Sequence, residues 1–224
     1  FTESYGDPLG MKASWESIVN FKDLVATKRT ETISDNAQWF EDHSPVDKKF
    51  KKEEVKGVSA KVITGAIIAG DLYPATAIGI NLPNSNWIRS VHGSKSVTIG
   101  NFTDAYNKAA HGNGFSDEFV YSEVEKGYLS NYGDLTGDLH TDLHECLGHG
   151  SGQLLPGVDP DALQAYGSTI EEARADLFGL YYLPDAKMRE LGLTPHDDAY
   201  KAEYYSYMMN GLMTQLVRIE LGNN

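Results

Sequence analysis

The segment His144-Glu145-Cys146-Leu147-Gly148-His149 constrains the chain most, because it sets two imidazoles and a carboxylate within six consecutive residues. Two histidines and an acid in such proximity are the donor set of zinc hydrolases. In the common zinc-binding signature the histidines are four apart, which leaves them about 40° apart on one helix face. Here they are five apart. A regular α-helix would turn the second imidazole roughly 140° from the first. Both can reach one ion only if the helix widens locally, as in a π-bulge. Gly148 is the residue at which unusual dihedrals cost least.

His140 lies four residues before His144 and makes the undistorted pair. Either histidine could equally be a polar residue on a solvated helix face. The surroundings favour the site. Leu135, Leu139, Leu143 and Leu147 recur every four residues and predict the buried stripe of a helix beginning near Asp134. The histidine edge of that helix then faces a cleft.

A second acidic cluster follows at Glu171-Glu172-Ala173-Arg174-Ala175-Asp176. Neighbouring glutamates differ by about 100° of helix rotation, so only one of Glu171 and Glu172 can point at a metal. Asp176 shares a face with Glu172, and Asp176 and Glu171 are candidates to hold the far nitrogens of the ligand histidines. Taken alone, such a run is more often a salt-bridged helix surface.

H-E-C-L-G-H-G-S-G over residues 144–152, together with E-E-A-R-A-D over residues 171–176, resembles the paired motifs of the dipeptidyl peptidase III family of zinc peptidases. The resemblance implies one zinc ion held by His144, His149 and Glu172, with Glu145 as the general base that activates a water. It implies short peptides as substrates, with dipeptides released from the amino terminus, and a cytoplasmic location. Residues 1–10 resemble the family's E-S-Y-x-D-P-x-G segment, which gives Glu3 the substrate's amino terminus and Tyr5 a hydrogen bond to the reacting carbonyl. Gly79-Ile80-Asn81-Leu82-Pro83-Asn84 resembles its G-I-N-x-P-N segment. Asn81 and Asn84 are therefore candidates to bind an extended peptide backbone, since an amide both donates and accepts.

The rest of the chain is consistent with this reading. The formal charge of -13 argues against nucleic acid, whose phosphates call for basic patches. No apolar run approaches the ~20 residues of a membrane span. Cys146 is the only cysteine, which excludes an intrachain disulfide, and it reads as a small core residue. The opening on Phe1 suggests a catalytic fragment of a longer peptidase. A downstream A-H-M-x-x-R segment, implied by the resemblance to carry a histidine and an arginine, is absent. A zinc-binding fragment or pseudoenzyme with little activity is accordingly the alternative expectation.

Short β-branched runs at 14–20, 62–69 and 76–82 predict strands. Helices are expected at 21–42, 103–110, 116–130, from Asp134 through the motif, at 168–183, and from Thr194-Pro195 to about Leu221. The pattern predicts an α+β fold in two approximate lobes: a β-containing lobe from 1–20 and 62–100, and a helical zinc-binding lobe from 21–61 and 101–224. If the metal site follows the six-residue motif, His149→Ala empties it and His140→Ala leaves the metal content unchanged, as read by metal analysis. The opposite result assigns the site to His140 and His144.

Overall fold

A computed structural model describes residues 16–55, 59–70, 79–82, 95–159 and 162–220. The fold is α+β. Strand β1 (Glu16–Lys22) leads into α1 (Leu24–Asp35) and α2 (Ala37–His43); β2 (Ser59–Gly70), β3 (Gly79–Leu82) and β4 (Lys95–Ile99) complete a sheet of order β1-β2-β4-β3. Helices α3 (Gly100–Ala110), α4 (Phe115–Phe119) and α5 (Glu123–Leu143) follow, then a π-helical turn (His144–Gly148), α6 (Gly167–Tyr182), α7 (Ala186–Glu190) and α8 (Tyr200–Met209).

The expected helix from Phe21 is a strand at its start. Phe21 pairs with Thr64 across the antiparallel β1–β2 ladder. Asp23 then caps α1 by accepting from the Ala26 N–H at 2.9 Å, the ordinary role of an aspartate at a helix start. Asn36 breaks the expected run into two helices. Ile33, Ala37 and Phe40 are buried as a helical pattern requires, whereas Phe21, Leu24 and Val25 are exposed.

Sheet order differs from a simple pairing of the two expected strands. β4 lies between β2 and β3, parallel to β2 and antiparallel to β3. It escapes sequence reading because its buried positions include Ser96 and Thr98, which dilute the apolar signal of a strand.

The expected helices over 116–130 and from Asp134 are largely one element. A capping box of Ser122 and Glu125 starts α5, with Glu125 Oε2 accepting from the Ser122 N–H at 2.9 Å, and the helix continues through Gly127, Gly133 and Gly137. Those glycines lower helix propensity by roughly 1 kcal/mol each relative to alanine. Packing overrides them: Leu139, Leu143 and Leu147 join Phe40, Tyr182 and Met188 in the core. Helix α8 starts later than Thr194-Pro195 predicts. The N–H groups of Leu193 and Thr194 both bond back to the Met188 carbonyl, at 2.9 and 3.3 Å, so the chain folds against α7 before the helix begins. After Met209 it loosens into a π turn (Asn210–Gln215) and a short 3-10 turn (Leu216–Arg218).

Helix α1 is tied to the metal-motif helix by charge. Arg29 of α1 pairs with the buried Asp142 of α5 and lies 3.1 Å from Asp138. Burial pushes the Asp142 carboxyl up to about 6, against the opposing pull of Arg29. Removing one partner of such a pair strands a buried charge and costs about 3–5 kcal/mol. Arg29→Ala is expected to destabilise the fold by about that amount in denaturant unfolding at neutral pH. Adding Asp142→Asn, which removes the stranded charge, is expected to recover part of the loss.

Candidate metal centre

The π turn is where the spacing requires it. The His149 N–H bonds to the His144 carbonyl at 3.1 Å, five residues back, and this wider turn brings the two imidazoles onto one side with ring centroids 4.6 Å apart and planes at 89°. Gly148 serves a different purpose from the one its flexibility suggests. A Cβ there would lie 2.8 Å from Cα and Cβ of Ala175, closer than side chains pack. A glycine facing an alanine lets α6 press directly onto the π turn.

That contact sets the α6 carboxylates against the histidines. Glu172 Oε2 lies 3.2 Å from His144 Nε2 and 3.8 Å from His149 Nε2. The opposite ring nitrogens are held. His144 Nδ1 hydrogen-bonds Asp176 Oδ1 at 2.8 Å, and His149 Nδ1 hydrogen-bonds Glu171 Oε1 at 3.1 Å. An ionised carboxylate only accepts, so each Nδ1 carries the proton and each Nε2 of a neutral ring presents a lone pair. Two donors each ~2.0–2.2 Å from a tetrahedral ion are roughly 3.3–3.6 Å apart. The 3.2 and 3.8 Å separations of Glu172 Oε2 from the two Nε2 atoms bracket that range.

Glu145 belongs to the same cluster. Its carboxylate and the two imidazoles offer atoms that all lie within 4.8 Å of one another. Ser96 Oγ of β4 lies 3.4 Å from Glu145 Oε2, and a Cβ at Gly79 of β3 would lie 3.4 Å from Glu145 Oε1. Strands β3 and β4 therefore flank this acid. Ser96 was not singled out from sequence, where a serine in a polar run carries no signal.

The Glu171 carboxylate is held firmly as an anion. Burial opposes ionisation, but hydrogen bonds from His149 and Arg174 outweigh it and bring the group to about 2. Arg174 grips Glu171 in a fork at 2.9 and 2.6 Å and donates to Ser151 Oγ at 2.7 Å, fixing the loop that leaves His149. Glu41, buried in α2, holds the same loop by accepting from the Gly152 N–H at 2.9 Å and from the Lys52 N–H at 2.6 Å. Nothing in the sequence singled out Glu41. The His149 imidazole is raised above its ordinary value, first by its bond to Glu171 and then, against burial, by the neighbouring charges of Glu145 and Glu172.

His140 does not lie on a solvated face. It is buried, its Nδ1 hydrogen-bonds Glu203 Oε1 of α8 at 2.8 Å, and its Nε2 faces the Asp176 carbonyl at 3.2 Å. Its ring fits beside Gly179, where a Cβ would lie 2.6 Å from His140 Cδ2. Cys146 is buried and burial pushes its thiol up, as a core residue requires. Glu3, Tyr5 and Asn84 lie outside the described residues, as does the side chain of Asn81. Among the described residues no helix is long and apolar enough to cross a membrane.

The sequence profile described as Peptidase family M49 matches residues 1–165. Dipeptidyl peptidase 3 of Dictyostelium discoideum is 29% identical over 93% of this chain, and the match spans 34% of that protein. Nudix hydrolase 3 of Arabidopsis thaliana is 31% identical over 81% of the chain and 24% of its own length. The solved DPP III of Caldithrix abyssi shares the fold, with a TM-score of 0.74 at 24% identity over 92% of this chain and 40% of that one. The chain thus spans about a third of the length of the first of these relatives. With the profile covering most of its length and both histidines of the π turn inside the matched region, the chain belongs to peptidase family M49.

Proposed function

We propose that this chain carries the metal centre and general base of a zinc-dependent peptidase that releases dipeptides from the amino terminus of short peptides. The observation that carries the reading is the position of Glu172 Oε2, 3.2 Å from His144 Nε2 and 3.8 Å from His149 Nε2. Two imidazoles and one carboxylate are an established donor set for catalytic zinc, which keeps a further position open. Bound there, zinc supplies Lewis acidity, lowering the pKa of a water toward ~7 and polarising a carbonyl.

The chain's own residues have distinct parts. Asp176 and Glu171 accept from Nδ1 of His144 and His149, which leaves the Nε2 atoms of the two rings facing Glu172. Glu145 lies against both imidazoles without being held by either. Its carboxylate takes the proton of the attacking water and returns it to the leaving amine, the work of a positioned general base and acid. Ser96 steadies that carboxylate from the sheet side. Glu3, Asn81 and Asn84 are assigned the peptide's amino terminus and backbone, and Tyr5 a hydrogen bond that strengthens as the oxyanion develops. The dipeptide register rests on the family and on the similarity to dipeptidyl peptidase 3 of Dictyostelium discoideum.

Metal analysis of the chain is expected to find one zinc ion. His144→Ala, His149→Ala or Glu172→Ala should each weaken binding far more than a change outside the donor set. Affinity is expected to fall as pH drops from 7.5 to 5.5, because protons compete for ligands that bind only when deprotonated, and the raised His149 moves that competition toward neutral pH. An affinity independent of pH over this range removes the imidazoles from the site.

Glu145→Ala, placed in a polypeptide spanning the relatives' full length, is expected to retain zinc while hydrolysis of a chromogenic dipeptide amide falls at least about a hundredfold. Near-parental turnover at equal zinc content excludes Glu145 as the base.

A further inference from the structure

Helix α8 reaches the proposed metal centre through one side chain that the chemistry above does not use. The Tyr207 hydroxyl lies 2.7 Å from Asp176 Oδ2, while the other oxygen of the same carboxylate accepts from His144 Nδ1 at 2.8 Å. Burial, followed by the adjacent Asp176 carboxylate, pushes the Tyr207 phenol up to about 12. At neutral pH it is protonated and must be the donor in this bond.

Tyr207 is itself seated. Its ring meets the His140 ring edge-on at 5.4 Å, and His140 is fixed by Glu203, one helical turn before Tyr207 on α8. Gly179 provides the notch in α6 that admits His140. The result is a continuous line of contacts from α8 through Asp176 to Nδ1 of a ligand histidine.

We infer that Tyr207 is a positioning residue for the metal centre, holding the Asp176 carboxylate in the rotamer that orients and basifies His144. The inference rests on the proposed metal site. The physical ground is that a carboxylate free at one oxygen can swing about its terminal torsion, which is broad and soft. Pinning Oδ2 with a hydroxyl leaves Oδ1 aimed at His144. Outer partners of ligand histidines typically change metal affinity about 10–100-fold when mutated. Tyr207 acts one bond further out, so a smaller effect of about three- to tenfold follows from the same relation.

The test is zinc affinity by chelator competition on the wild-type chain, Tyr207→Phe, Asp176→Asn and the double variant, with Tyr204→Phe as control. Tyr204 lies on the same helix and donates to the Leu180 carbonyl at 2.8 Å, so its variant removes a comparable hydroxyl that does not touch Asp176. Tyr207→Phe keeps the ring against His140 and is expected to bind zinc about three- to tenfold more weakly, with Tyr204→Phe within about twofold of wild type. Acting through Asp176, the Tyr207 change should add nothing to Asp176→Asn. Cobalt in place of zinc is expected to show shifted ligand-field bands in Tyr207→Phe and unshifted bands in Tyr204→Phe. Unchanged affinity in Tyr207→Phe, equal losses in both tyrosine variants, or multiplied losses in the double variant would overturn the role. A wild-type chain that binds no zinc, or a His144→Ala variant that binds it normally, refutes the metal centre itself and this role with it.

Discussion

The hydrogen bond from the His149 N–H to the His144 carbonyl, one residue wider than an α-helix allows, is the interaction on which the site depends. With regular α-helical closure, His149 would point roughly 140° from His144. The wider turn is held from outside. Leu143 and Leu147 anchor its two ends in the core, and the contact between Gly148 and Ala175 lets α6 lie directly on it. A π turn is intrinsically less favourable than an α turn and persists where surrounding structure over-determines it. Here both the helix carrying the histidines and the helix carrying the carboxylates enforce it.

How much of this was legible depends on whether the determinant is local. The π turn follows from counting residues between His144 and His149, and the leucine stripe follows from period. The choice between Glu171 and Glu172 does not, because both lie in one run and only contact with the second helix separates them. Glu171 turns toward Nδ1 of His149 and Glu172 toward the Nε2 atoms. The role of Gly148 was visible as a glycine but not as a contact, since Ala175 is remote in sequence.

Fold elements failed for similar reasons. Asp23 falls inside the helix expected from Phe21 because apolar residues flank it, yet it is the cap that separates β1 from α1. β4 buries the hydroxyls of Ser96 and Thr98 beside Ile99, and its place between β2 and β3 is a long-range fact. The burial of His140 is set by Glu203, far along the chain, and by the notch at Gly179. A histidine four residues from another looks solvated or metal-bound from sequence. Here it braces two helices.

Charge explains why such a site calls for a cation. Four carboxylates, Glu145, Glu171, Glu172 and Asp176, surround two imidazoles. Arg174 answers one of them by its fork on Glu171. Asp176 is stabilised as an anion by hydrogen bonds from His144 and Tyr207 against the opposing effect of burial. The remaining like charges repel more strongly in a partly buried site than in water. A dication held by the proposed donors would turn that repulsion into attraction for Glu172 and Glu145. It would also couple binding to the packing of α6 on the π turn, because the proposed donors come from both elements. Ligand binding restricted to the folded state stabilises that state by mass action, so the contact at Gly148 and Ala175 and the affinity of the site are two expressions of one equilibrium.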